Sequence, residues 1–185
     1  MRNDRFTASG RNSTNLKLLN AAILVGSVAL CLLLMPTRFP GTELLGVSPN
    51  WLLIWVVAWS LKRTPSQGAL AGVILGLLQD GMSSGAPTHV FSLALVGYLT
   101  ARLQKQRYLQ EDFISVALIV FGMSIVADTV RALQFTVMSD RSLEEIWMLH
   151  QPLALSSAIL SSLWAPTISF PLNRWWQRME RLEQS

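Results

Sequence analysis

The sequence predicts an all-α membrane protein, a six-transmembrane-helix bundle, and three observations carry that reading. Hydrophobic residues make up 51% of the chain and charged residues only 14%, too little charge to wrap a soluble core of this size. The apolar residues are gathered into blocks long enough to serve as membrane segments. Lysine and arginine are shared unevenly among the loops between those blocks, as they are when alternate loops stay in the cytoplasm.

The elements follow in order. Residues 1–17 are basic and rich in Ser, Asn and Thr, with too little apolar surface to fold alone, and are expected to form a flexible basic cytoplasmic tail. The six spans then fill 18–172. The first runs from Leu18 to Met35 and is stopped by Pro36. It outruns a usual signal-peptide apolar region and ends in no small-residue cleavage site, so it is expected to stay in the mature protein. Pro49 opens a second segment, Trp51 to Leu61, closed by Lys62 and Arg63. At ~1.5 Å per residue it is short for a crossing, so either Leu44–Val47 extends it or the bilayer thins there.

Gly68 to Met82 and His89 to Ala101 are expected to form a tight hairpin through the loop Ser83–Thr88. A long fifth segment runs from Phe113 to Met138. The loop from Ser139 to Gln151 carries Asp140, Arg141, Glu144 and Glu145 and is expected to hold a short surface helix capped at Ser142. The last span, Leu153 to Leu172, contains Pro166, where a kink is expected. Residues 173–185, with Arg174, Trp175, Trp176, Arg178 and Arg181, form a C-terminal cytoplasmic tail. Twelve of the fifteen Lys and Arg residues then fall on the side of the two ends, against only Arg38 and Arg141 opposite and Arg131 within the fifth span. Both termini are accordingly expected in the cytoplasm.

Within these spans the polar groups are few and patterned. Gly68, Gly72 and Gly76 recur every fourth residue, and Asp80 and Ser84 continue the spacing, so the glycines form one helical stripe leading to a carboxylate. Such a stripe lets a second helix approach closely, within the bundle or from a partner. Asp80, His89, Asp128, Arg131, Gln134 and Asn50 all fall in the outer leaflet under this topology. Asp128 and Arg131 are three apart, which makes an ion pair geometrically easy. Either Asp80 and Asp128 both approach Arg131, or Asp80 pairs with His89 across the hairpin. The cluster reads as a polar pocket open to the outside, or as an internal salt bridge that fixes helix register. Trp51, Trp55 and Trp59 make an aromatic stripe, read as lipid contact and interfacial anchoring before a stacking platform for a ring-shaped ligand. Trp147, Trp175 and Trp176 fit an interfacial belt.

Several chemistries are disfavoured. With one cysteine, Cys31, no intrachain disulfide or cysteine-built metal site is possible, and with two histidines a zinc site would need carboxylates for its remaining ligands. No cofactor is expected, and no nucleic acid, because no basic patch is interleaved with stacking aromatics. An intramembrane aspartyl protease built on Asp80 and Asp128 is set aside, since neither LLQDG nor VADTV resembles the paired motifs of such enzymes.

The runs PNWLLIWVVAWSLKR, GALAGVILGLLQDGMSSG and HVFSLALVGYL resemble MreD, the rod shape-determining membrane protein family of bacteria. The likeness is clearest from Ser48 to Tyr98 and rests on Pro49, the run Gly76-Leu77-Leu78-Gln79-Asp80, Gly85, His89 and Gly97-Tyr98. Pro87 stands where the family pattern usually has glycine, so a stiffer loop is expected. Asp128 and Arg131 are not carried over from the family. The resemblance implies a bundle similar to the substrate-binding subunit of energy-coupling-factor transporters. It also implies a non-enzymatic scaffold of the cell-wall elongation complex in the bacterial inner membrane. Such a scaffold would bind MreC and work beside the glycan polymerase, its transpeptidase and cytoplasmic MreB filaments. The alternative on the same fold is a subunit that binds a vitamin-like small molecule for a membrane transporter.

Overall fold

A helix that is apolar on every side needs apolar surroundings all round, lipid or protein, and the sequence WLLIWVVAWS is such a helix. The computed structural model describes residues 4–37, 46–83, 88–106, 113–138 and 143–184, and among them every regular element is α-helical. In chain order they are α1 (Asp4–Leu34), α2 (Trp51–Ser60), α3 (Pro65–Met82), α4 (His89–Gln106), α5 (Phe113–Met138) and α6 (Leu143–Gln184). The apolar decamer is α2. Nine of its ten residues are buried, and it touches each of the other five helices. The tryptophan stripe therefore faces inward, correcting the expectation of lipid contact. Trp51 packs edge-on against Trp164 of α6 at 5.6 Å between centroids, and the Trp55 indole N–H donates to Ser27 Oγ of α1 at 2.9 Å. Of the three only Trp59 is partly exposed, with the Arg63 guanidinium 5.4 Å from its ring centroid.

The second span is not lengthened at its start. Gly46 turns the chain with φ of 76°, a conformation glycine adopts freely, and residues 47–50 are not helical. Asn50 then caps α2, its side-chain oxygen accepting from the Leu53 N–H at 3.1 Å. The Asn50 N–H donates in turn to Ser161 Oγ at 2.9 Å, which fastens the start of α2 to α6. Ten residues rise only ~15 Å, about half the hydrocarbon thickness, so α2 ends well inside its longer neighbours.

α3 opens on Pro65, whose missing N–H costs nothing at a first helical position, and the Thr64 N–H donates to Gln67 Oε1 at 3.3 Å. α3 and α4 form the most extensive helix pairing in the bundle, followed by α5 with α6, while α1 lies at the edge against α2 and, slightly, α6. The hairpin is as expected, and its loop residues 84–87, with Gly85 and Pro87, lie outside the described residues.

The helix ends differ from the hydropathy blocks. α1 begins at Asp4, far ahead of the apolar run at Leu18, so most of the segment read as a flexible tail is helical. α6 absorbs three expected pieces, the surface helix after Ser142, the last span and the C-terminal tail, in one helix of 42 residues through Pro152, Pro166 and Pro171. Within it the Ser156 hydroxyl donates to the Pro152 carbonyl at 2.8 Å and the Ser169 hydroxyl to that of Ala165 at 2.6 Å, each back to the preceding turn. Trp176 is buried, so it is a core residue and not part of a belt. Asp140, Arg141 and Ser142 lie outside the described residues, as do Arg38 and Arg107.

By length and composition, two helical stretches among the described residues can cross a membrane, Phe113–Met138 and Gln151–Met179, and shorter apolar stretches span Leu18–Leu34, Trp51–Ser60 and His89–Leu103. The outer faces are apolar as well. Leu70, Ile74 and Leu77 on α3 and Ile114 and Leu118 on α5 are all at least half exposed, a surface suited to lipid and not to water.

Candidate functional site

The glycine stripe of α3 lies flat against α4, with backbone meeting backbone. A Cβ added at Gly68 would strike the carbonyl of Gly97, one at Gly72 the carbonyl of Leu93, and one at Gly76 the backbone of Val90. The stripe is thus an internal seam, as its spacing allowed, and it is filled by this chain's own α4. The α4 partner Gly97 was not singled out for this seam; its signal is the small pair Gly97 and Ala101, again four apart.

The seam ends at Asp80. Its Oδ1 accepts from the His89 backbone N–H at 2.8 Å and lies 2.7 Å from His89 Nδ1. One carboxylate from α3 therefore satisfies an otherwise unpaired N–H at the start of α4 and fixes the first side chain of that helix. This is the second of the two arrangements the sequence left open. Asp128 has a different partner, the Arg131 guanidinium one turn along α5, so the two carboxylates do not converge on one arginine.

Because Asp80 clasps the hairpin through two hydrogen bonds to one oxygen, its replacements should rank by acceptor capacity. Asp80→Asn keeps an oxygen for the His89 N–H, whereas Asp80→Leu leaves it unpaired at about 1.5–3 kcal/mol. Thermal unfolding in detergent is expected to show a small fall for the first and a fall of several degrees for the second. Equal falls would mean that the charge itself, not the hydrogen bonding, holds the clasp.

Four of the six groups expected in the outer leaflet, Asn50, His89, Asp128 and Arg131, gather around one cavity. Its volume is about 600 Å³, within the range of small-molecule sites. It opens at the N-terminus of α2, where that short helix stops and α5 and α6 continue. Asn50 and Trp51 form its floor, with Gln79 from α3, His89 from α4, Asp128 and Arg131 from α5, and Ser157 from α6. Apolar groups complete it, among them Ile125, Phe135 and Leu155. Of the residues expected to form a site, Asn50, His89, Asp128 and Arg131 line this cavity. Asp80 stands behind His89, and Gly68, Gly72 and Gly76 belong to the seam.

Gln79 is a lining residue that the sequence did not mark as such, and Trp51, of the tryptophan stripe, lines the cavity as well. Both are 5% exposed. Of the charged side chains in the lining, Arg131 is offset by Asp128, and His89 Nδ1 is bonded to Asp80 behind it. Among the described residues no group of three or more His, Cys, Asp or Glu side chains is placed to hold a metal ion.

Comparison with known proteins adds the family. No curated protein and no solved structure matches the chain significantly. A family model described as rod shape-determining protein MreD matches residues 14–173, from within α1 to within the last third of α6. That match extends the likeness read from Ser48–Tyr98 over nearly the whole bundle, including α5, which carries Asp128 and Arg131, and the chain belongs to the MreD family of rod shape-determining membrane proteins.

Proposed function

We propose that this chain is a non-enzymatic scaffold of the cell-wall elongation complex that binds MreC and supports rod-shape maintenance and lateral peptidoglycan synthesis. The single observation that carries the reading is the family match over residues 14–173. Membership implies a role in rod-shape determination, and the family is not known for catalysis. MreB filaments, the glycan polymerase and its transpeptidase are the further partners this reading implies.

The proposed arrangement has six crossings with both termini in the cytoplasm of the bacterial inner membrane. The Lys and Arg distribution supports it, with twelve of fifteen on one side. The apolar outer faces of α3 and α5 support a bilayer setting. The helix pair α3 and α4 does not offer its glycine seam to a partner, because that seam is closed within the chain. MreC is therefore expected to dock on an outer helix face.

Two measurements test this. Reporter fusions at the two ends are expected to report the cytoplasm from both, and opposite faces would remove the six-crossing arrangement. Purification in mild detergent is expected to retain MreC, and depletion of the protein to turn rods into spheres. A chain that instead carried a vitamin-like compound in stoichiometric amount, with no effect on shape, would favour the transporter subunit.

A further inference from the structure

We propose that the cavity above α2 binds a small uncharged molecule carrying hydroxyl or amide donors together with a carbonyl acceptor. The inference rests on three polar atoms carried by side chains that line the cavity. Gln79 Oε1, Asp128 Oδ2 and Trp51 Nε1 are all buried without a hydrogen-bond partner. Unpaired buried groups of this kind are destabilising, and three around one cavity of about 600 Å³ mark a place where polar partners are missing from the chain itself.

The identity of the orphaned atoms sets the chemistry. Two are acceptors and require donors on the guest, and one is an indole N–H that requires an acceptor. The Arg131 side chain is 30% exposed, and its guanidinium offers more N–H groups than Asp128 uses. The two charged side chains that line the cavity, Arg131 and Asp128, are already paired with each other, so an ionic guest finds no unpaired counter-charge on its lining. An ionic guest would leave water without compensation. The apolar patches of Ile125, Phe135 and Leu155 suit a guest with one non-polar side. The orphaned atoms themselves have only trace exposure, so the Gln79 amide and the Asp128 carboxylate must rotate about their side-chain torsions to meet the guest. The site is thus shaped in advance and completed on binding.

The test uses the purified full chain in detergent and does not depend on whether MreC binds. N-acetylglucosamine is the probe, being uncharged and bearing hydroxyls, an amide carbonyl and a methyl group. Glucosamine and glucuronate, one cationic and one anionic, are the comparison. Saturation-transfer NMR is expected to show saturable binding of the neutral sugar at millimolar concentrations and about tenfold weaker binding of both charged ones, a difference of about 1.4 kcal/mol. Ala154→Trp, which fills the cavity from α6, should abolish the signal, and Gln79→Leu should weaken it about tenfold by removing an acceptor. Gel filtration and unfolding midpoint check that each variant is folded, and Gln79→Leu carries the test where the tryptophan is not accommodated. No saturable binding to folded wild-type protein, equal binding of a charged sugar, or undiminished binding to both variants would overturn the proposal.

Discussion

Gly72→Leu is expected to leave almost no folded protein. A Cβ at this position already collides with the carbonyl of Leu93, and the obstacle is backbone, which cannot swing aside as a side chain does. The collision is relieved only by moving α3 away from α4, which also opens the contacts of Gly68 with Gly97 and of Gly76 with Val90. Overpacking by a methylene or two in a tight core costs about 1–3 kcal/mol, and leucine adds four carbons at the closest point of the tightest helix pair. Gly81 supplies the control, for it sits on the same helix with nothing within 4 Å of an added Cβ. Gly81→Leu should extract and migrate like the wild type, while Gly72→Leu should be degraded or elute as aggregate, with Gly72→Ala intermediate. Gel filtration after detergent extraction reads all three. Normal behaviour of Gly72→Leu would mean that the two helices do not meet along this stripe.

That seam was legible because period and composition act together: three glycines four apart can only line one helix face, and in lipid a bare face is useful only for close approach. The Asp128–Arg131 pair was legible for the same reason, being fixed by spacing within one helix. The tryptophans were not. In a bilayer the lipid tails are as apolar as the core, so hydrophobicity does not sort inward from outward faces. The clue lay elsewhere, in Ser60 closing a helix otherwise apolar all round, which reads as a buried hub better than as an anchor. Helix ends were misjudged because hydropathy marks what lipid tolerates, while the helices of residues 4–17 and 173–184 continue by backbone hydrogen bonding beyond it. The cavity was half visible. The shortness of α2 was plain in the sequence, but the step from a short helix to an enclosed space required knowing that it stands in the middle.

Arg131→Ala is expected to destabilise the bundle more than the double variant that removes both charges. Asp128 is 11% exposed and its second oxygen has no partner, so the guanidinium is the main compensation for its charge. Taking Arg131 away leaves a carboxylate buried beside Ile125 and Ala132, and breaking such a pair by one member costs about 3–5 kcal/mol. Arg131 itself is 30% exposed, which admits water and moves the expected loss toward the lower end of that range. Asp128→Leu with Arg131→Met removes both charges and their desolvation together, and similar replacements elsewhere are often neutral or stabilising. The comparison therefore separates a pair kept for stability from one kept for what it faces. Unfolding midpoints of the two single variants and the double in detergent form the cycle, with coupling expected in the direction that makes the double milder than Arg131→Ala alone. A double variant that folds as well as wild type, yet fails in cells to keep rod shape, would place the value of the pair in the cavity it lines. Additive losses would instead show that Asp128 finds its compensation from water or from another helix, and that the pair is incidental to the fold.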